Sequence, residues 1–312
     1  MTLSMDRRSV LTGLGALGVS ACGSAGDGQG TPSVLVIPEH KDLDLSALEA
    51  RHGGRLGLAV LDPDYRLWGW RSDERFVYCS TFKAFLAAAT LARVQAGDER
   101  LDRAVNVTSA DMVPHAPVTQ AAVGSTLTIE ALAKATVELS DNPAANILLR
   151  EMGGLEVFQD FYRRLDDDVT RVDRWEPEMN RLDGDKDTTT PRQAATNLHA
   201  LFLNEESRAT ASRPLGPLND GSRQRLLRWM TDTPTGPDRL KAGVPDGWRV
   251  AHKTGTGGYG PTNDIGILYP PSGAPIIIAA YYHATPETSD AQNAAVIAEA
   301  TRMALTALGH AA

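Results

Sequence analysis

Three short clusters of polar residues in this chain carry side chains suited to acyl transfer. Ser80-Thr81-Phe82-Lys83 sets a hydroxyl and an amine at i and i+3, on one face of the helix predicted over Thr81–Gln95. Near a helix N-terminus, free backbone N–H groups and the helix dipole favour developing negative charge. Ser80 is therefore placed as a nucleophile that a neighbouring amine activates. Ser140-Asp141-Asn142 follows an almost wholly apolar segment, Ile129–Leu139, and precedes Pro143; such a turn is equally the ordinary cap of the next helix. Lys253-Thr254-Gly255 ends a predicted strand, where a lysine is equally a solvated strand residue. S-x-x-K alone is common by chance, and only the three clusters together point to a serine-centred site.

The elements that must position these clusters follow from periodicity. Arg55–Leu61 and Arg66–Arg71 are strand-like runs joined by the hairpin signal Asp62-Pro63-Asp64-Tyr65. Trp248–Thr256, Asp264–Tyr269 and Pro275–His283 add three more strands, the first two linked by a glycine-rich turn. A helix over Leu45–Arg51 ends at Gly53-Gly54, and Ala291–Leu308 has apolar residues at three- and four-residue spacing. The Thr81–Gln95 helix stops at Gly97, and Ile129–Leu139 is expected to be buried on all sides. Strands from both ends of the chain thus form one five-stranded antiparallel sheet flanked by helices, and the middle forms an all-α lobe. The class is α+β, with a cleft between lobes as the natural place for a site. The expected boundaries are an α/β lobe at about 34–75 and 228–312 and a helical lobe at about 76–227.

Composition excludes more than it identifies. The 312 residues hold 39 acidic and 31 basic side chains, a formal charge of −8, so there is no basic footprint for nucleic acid. With 42% hydrophobic and 22% charged residues the chain is globular rather than disordered. No apolar run reaches the ~18 residues that span a bilayer. Gly13-x-Gly15-x-x-Gly18 sits inside an N-terminal targeting pattern, and Gly255-x-Gly257-x-x-Gly260 joins two strands, so neither has the strand-to-helix context of a dinucleotide loop. Lys253-Thr254 resembles the end of a P-loop, but His252 occupies the glycine position. The seven histidines show no H-x-H or H-E-x-x-H spacing; neither a metal nor another cofactor is expected.

Residues 1–25 read as an export signal, with Arg7 and Arg8 before an apolar stretch from Val10 to Ala21. Paired arginines suggest twin-arginine export, although Asp6-Arg7-Arg8-Ser9-Val10-Leu11 matches imperfectly and Met5 is an alternative start. Val19-Ser20-Ala21-Cys22 resembles a bacterial lipobox that would lipidate Cys22; ordinary cleavage near Ala25 would leave no lipid. Residues 26–33 look like a linker. The expected location is therefore periplasmic or otherwise extracytoplasmic, with Cys22 as a possible lipid anchor. Cys79 is the only other cysteine.

In order and placement, the three clusters resemble those of the class A serine β-lactamases. Glu176-Pro177-Glu178-Met179-Asn180 matches the family's E-x-x-L-N element, with methionine for leucine. The resemblance spans about residues 34–308 and implies hydrolysis of the lactam amide of penicillins and cephalosporins by a monomer. It implies that Ser80 attacks the carbonyl, with the backbone N–H groups of Ser80 and Thr256 as oxyanion hole. Lys83, or Glu176 acting through a water, would be the base for acylation. Ser140 would pass a proton to the lactam nitrogen, assisted by Lys253. Glu176 and Asn180 would hold the water for deacylation, and Asn142 would bind the substrate's side-chain amide.

Lys253, Thr254 and Thr256 resemble the family's substrate-binding strand. The tract Gly258–Asn263 lacks the arginine many members carry there, and Arg239, with Thr235, matches the alternative of another branch. His115 stands where relatives usually place Tyr or Trp at the cleft rim. Cys79 matches a cysteine that is disulfide-bonded in some members, but its partner position here is Gly257, which precludes the bond. The stretch from Arg174 to Asp187 corresponds to the Ω-loop, two residues short, with its neck ion pair present. An insertion of roughly ten residues lies between Leu203 and Leu218. Two competing readings share parts of this pattern: a penicillin-binding DD-peptidase would lack Glu176 and Asn180, and a non-catalytic sensor would typically follow transmembrane segments.

Overall fold

A computed structural model describes residues 39–203, 218–258 and 260–310. The expected export signal and linker, most of the insertion and Tyr259 lie outside the described residues. In chain order the strands are β1 (His40–Asp42), β2 (Arg55–Leu61), β3 (Leu67–Trp70), β4 (Phe76–Val77), β5 (Ala104–Asn106), β6 (Thr126–Thr128), β7 (Thr188–Thr189), β8 (Arg249–Thr256), β9 (Pro261–Tyr269) and β10 (Ile276–His283). The described helices of four or more residues with α geometry are α1 (Ser46–His52), α2 (Phe82–Ala96), α3 (Ile129–Glu138), α4 (Asn142–Met152), α5 (Leu155–Arg164), α6 (Pro191–Phe202), α7 (Asp220–Asp232), α8 (Leu240–Gly243) and α9 (Asp290–Ala307).

The main sheet runs β1-β3-β2-β10-β9-β8. To the five expected antiparallel strands the structure adds the three-residue edge strand β1, paired in parallel with β3. The Asp62 carboxylate closes the β2–β3 hairpin by accepting the N–H groups of Asp64 and Arg66 at 3.0 and 2.9 Å. β9 begins at Pro261, three residues earlier than expected: its pairing with β8 continues to Thr256 opposite Thr262, and proline is tolerated at a strand's first residue.

Both faces of the sheet are buried. On β10, Ile277, Ala279 and Tyr281 join the core on the side of the helical middle, while Ile276, Ile278, Ala280 and Tyr282 join the core under α1 and α9. α2 is the central helix of the first core, buried at every position from Phe82 to Ala92. Its alanine-rich surface lets α3, α4 and α7 pack on it, and Gly97 ends it in the left-handed region at φ +82°. The α3 segment departs from the expected all-round burial. Its apolar side, including Leu132, Ala133 and Val137, is buried, but Lys134 is exposed.

Gly57 on β2 shows how the sheet meets the helical side. A Cβ there would come within 2.4 Å of a Phe76 ring carbon and 2.8 Å of Pro191 Cγ. Gly57→Ala is expected to destabilise the fold by about 1–3 kcal/mol through overpacking. The midpoint of urea unfolding measures this, and an unchanged midpoint would show that the Phe76 ring yields without cost.

Candidate active site

Ser80 lies in a short 3₁₀ turn, Cys79–Thr81, that leads directly into α2. The turn is fixed from three sides. Asn263 Nδ2 donates to the carbonyls of Val77 and Tyr78 at 2.9 and 3.1 Å, Thr81 Oγ1 donates to Tyr78 O at 2.8 Å, and Tyr78 N–H donates to Asp187 O at 3.2 Å. Cys79 sits at φ +48°, an uncommon conformation for a non-glycine residue, held by these flanking contacts. Gly255 explains the glycine of the third cluster. A Cβ there would meet Tyr78 O at 2.8 Å and Thr81 N at 3.1 Å, so only glycine lets β8 pass this close to the serine turn.

Lys83 is fully buried one helical turn after Ser80. Its Nζ donates to Ser140 O at 2.7 Å and Asn142 Oδ1 at 2.5 Å, and stands 3.0 Å from Glu176 Oε1. Burial pulls the Lys83 ammonium below the ordinary lysine range, and the Glu176 charge opposes that pull. Three acceptors around one nitrogen describe an ammonium. Asn180 Nδ2 donates to the other Glu176 oxygen, Oε2. Glu176 Oε1, apart from its ion contact, and Asn180 Oδ1 are buried acceptors with no hydrogen-bond donor among the described residues.

The second cluster serves both as cap and as site. Asp141 Oδ1 caps α4 by accepting Ala144 N–H at 2.9 Å, and the same carboxylate takes the N–H groups of Val118 and Thr119 at 2.9 and 3.0 Å. That leaves its neighbours free to face the cleft. Ser140, at φ +58°, accepts a hydrogen bond at Oγ from Lys253 Nζ at 3.1 Å. Asn142 Oδ1 receives Lys83, and its Nδ2 donates to Pro114 O at 2.8 Å.

Asn146, one turn further along α4, is a positioning residue that sequence reasoning missed. Its Oδ1 accepts Glu176 N–H at 3.0 Å and its Nδ2 donates to Glu176 O at 2.9 Å, which pins the backbone of the glutamate. The i, i+4 relation to Asn142 was the available signal. The Arg174–Asp187 pair expected at the loop neck is present, Nε to Oδ2 at 2.5 Å. Asp187 Oδ1 also accepts the N–H groups of Asp173 and Arg174 at 2.8 and 3.0 Å, and the loop is closed despite its length.

On β8, Lys253 is fully buried and also donates to Thr254 O at 2.9 Å. Arg239 lies along the ends of β8 and β9, donating to Gly255 O (3.0 Å), Asn263 O (2.8 Å) and Thr256 Oγ1 (2.8 Å). Thr235 and Thr254 hydroxyls are 2.9 Å apart. The structure thus links Lys83, Ser140, Asn142, Glu176, Asn180 and Lys253 in one cluster, with Ser80 one helical turn before Lys83. Thr254, Thr256, Thr235 and Arg239 line its continuation. His115 stands apart: it is exposed at φ +68°, its Nε2 is 2.9 Å from Leu139 O, and its own carbonyl accepts Asn142 N–H at 2.9 Å. Cys79 is a buried free thiol, and a Cβ on Gly257 would lie 3.0 Å from its Sγ. Among the described residues, no group of three or more His, Cys, Asp or Glu side chains is placed to hold a metal ion, and no helix is long and apolar enough to cross a membrane.

Burial, and then the nearby charge of Lys83, hold the Lys253 ammonium well below the ordinary lysine range. A lysine depressed in the folded state destabilises it at neutral pH, and this cost fades as pH rises towards the unfolded value near ~10.4. Lys253→Met is therefore expected to melt a few degrees above the parent at pH 7, with the gap closing by about pH 10. Thermal unfolding across that range is the check, and a pH-independent gap would contradict the assignment.

The family model described as the β-lactamase enzyme family matches residues 42–308. Beta-lactamase L2 of Stenotrophomonas maltophilia is 41% identical over 270 residues, covering 85% of this chain and 85% of that protein. Beta-lactamase FAR-1 of Nocardia farcinica is 38% identical over 268 residues, covering 85% and 82%. A solved structure of an ancestral class A β-lactamase superposes with a TM-score of 0.77 at 47% identity, covering 84% of this chain and 98% of that one. With the serine turn, the buried lysines and the glutamate–asparagine pair in one cluster, and a match across nearly the whole described fold, the chain belongs to the β-lactamase enzyme family, as a class A member.

Proposed function

We propose that this class A β-lactamase opens the lactam amide of penicillins and cephalosporins through an acyl-serine on Ser80, conferring β-lactam resistance. The observation that carries the reading is Glu176, buried, hydrogen-bonded by Asn180 and held 3.0 Å from the Nζ of Lys83, which itself follows Ser80 by one helical turn. In acylation, the Ser80 hydroxyl gives up its proton as its Oγ–carbon bond forms. The carbon–nitrogen bond then breaks, and the lactam nitrogen takes a proton from Ser140 Oγ, whose neighbour Lys253 supplies positive charge; the proton released by Ser80 passes on from Glu176 to restore the Ser140 hydroxyl, so Glu176 is again a carboxylate before deacylation. The backbone N–H groups of Ser80 and Thr256 would hold the oxyanion, where one donor is worth ~10²–10³ in rate.

Lys83 has its three donor directions directed at acceptors. This favours Glu176, through a bound water, over Lys83 as the first base. A water donating to Glu176 Oε1 and Asn180 Oδ1 would then attack the ester carbonyl, with Glu176 taking its proton and Ser80 leaving as the alcohol. Asn142 would receive the substrate's side-chain amide. Thr235, Thr254, Thr256 and Arg239 would receive its carboxylate, with charge-assisted bonds to the guanidinium. His115 would contact the substrate only at the rim. No cofactor is required.

Glu176→Ala is expected to slow deacylation far more than acylation, so that intact-mass spectrometry finds a substrate adduct on Ser80 that persists for minutes. Turnover at the parental rate would remove Glu176 from the mechanism. The same proposal places the enzyme outside the cytoplasm as a monomer, exported by the 1–25 segment and tethered by lipid on Cys22. Cys22→Ser is expected to move the protein from the membrane fraction to the soluble exported fraction; an unchanged distribution would leave ordinary cleavage as the explanation.

A further inference from the structure

β8 carries a second polar pair on the face turned away from Ser80. Alternation sends Lys253 towards Ser140 and His252 to the opposite side, which it shares with Val250 and with Leu268 of β9. Asp264 of β9 lies directly opposite Thr254, one step diagonal to His252, and Gly266 lies opposite His252 itself. A Cβ on Gly266 would come within 2.9 Å of His252 Cβ, so glycine gives the imidazole room to reach across the ladder. His252 Nδ1 is 2.9 and 2.8 Å from the two Asp264 oxygens, and neither side chain has any exposed surface.

His252 Nε2 is buried with no hydrogen-bond partner among the described residues. A proton there would be an unsatisfied buried donor, so the geometry favours Nδ1–H as the donor and the Asp264 carboxylate as the acceptor. Asp264 Oδ2 also accepts the N–H of Leu240 at 3.3 Å. Leu240 directly follows Arg239, and Gly236, three residues before Arg239, packs on the same patch. A Cβ on Gly236 would meet Thr254 Cγ2 at 2.4 Å and His252 Cε1 at 3.6 Å. The backbone that carries Arg239 is thus seated on His252, Asp264 and Thr254, while its guanidinium reaches the strand ends at Gly255 O, Asn263 O and Thr256 Oγ1.

We propose that His252 and Asp264 are a positioning pair for Arg239: the imidazole fixes the carboxylate, the carboxylate fixes the backbone at Leu240, and the guanidinium is thereby aimed at the substrate carboxylate. This rests on the reading of Arg239 as a carboxylate-binding residue. Asp264 is also an acidic counter-charge to the two cations of the anion site, Lys253 and Arg239, and its charge opposes the depression of Lys253 by burial. The pair touches no substrate and acts through the arginine it places.

The test compares a chromogenic cephalosporin bearing its free carboxylate with the methyl ester of the same compound. The full chain and its variants His252→Leu, His252→Asn and Asp264→Asn are assayed on both. The parent is expected to prefer the acid, and His252→Leu to raise KM for the acid about tenfold while changing kcat less than about threefold and leaving the ester nearly untouched. His252→Asn, whose side-chain N–H can still donate to Asp264, is expected to keep most of the acid preference. In an Arg239→Ala background, His252→Leu is expected to add less than about twofold. Asp264→Asn, close in shape, keeps the proposal testable if His252→Leu does not fold; it should lose acid preference too. Equal losses on acid and ester, full additivity with Arg239→Ala, or an unchanged acid preference in Asp264→Asn would overturn the positioning role. A parent with no acid preference would instead overturn the reading of Arg239, and the pair's role with it.

Discussion

Two lysines with no exposed surface, Lys83 and Lys253, stand in one small site, and the rest of the structure has to accommodate that charge. An uncompensated buried ammonium is costly, and an ion pair offsets the cost only when the remaining donors are also satisfied. Lys83 meets both conditions with Glu176, Asn142 and the Ser140 carbonyl. Each partner is held in turn: Glu176 by Asn146 and Asn180, Asn142 by Pro114, and Ser140 by a turn that Asp141 fixes from below. The buried site is thereby supported by side chains from α4 and the Ω-loop and by the backbone carbonyls of Ser140 and Pro114.

β8 solves a different problem, since one strand serves two faces. Towards Ser140 and the serine turn it presents Lys253 and the bare backbone of Gly255; on the opposite face it presents His252 to Asp264, under the segment carrying Arg239. Strand periodicity makes such a division possible, and the pairing with β9 sets its register over eight residues. Asn263 shows how tightly the sheet and the serine turn are joined: its side chain holds the carbonyls of Val77 and Tyr78, while its own carbonyl accepts Arg239. The turn that carries Ser80 and the side chain of Arg239 are both held by one residue of β9.

Much of this was legible in the sequence, because the chemistry sits in short contiguous clusters whose spacing matches helix and strand geometry. Ser80–Lys83, Ser140–Asn142 and Lys253–Gly255 pointed to a serine-centred site only when taken together, Glu176–Asn180 was carried by the family resemblance, and the hairpin at Asp62–Tyr65 had its own turn signal. What was not legible depends on contacts between distant segments. Asn146 holds Glu176 from 30 positions away, and its i, i+4 relation to Asn142 marks a shared helix face without saying which distant segment it meets. Asn263 and Asp264 read as ordinary members of a strand until β8 and the Arg239 segment are laid beside them. β1 has only three residues and no apolar alternation, so neither its parallel pairing nor the Lys41 ammonium over the Trp68 ring had a local signal. The α3 segment misled in the opposite direction: an apolar composition suggested burial on every side, yet Lys134 marks a solvent face.

The proposed cycle on Ser80 is complete, with deacylation following acylation, and steady-state hydrolysis of a chromogenic cephalosporin by the purified chain, with Ser80→Ala as the control, measures it most directly. Many turnovers per molecule are expected, abolished in the control. One burst equal to the enzyme concentration, followed by a stable adduct, would contradict it, and so would turnover that survives the loss of the serine hydroxyl.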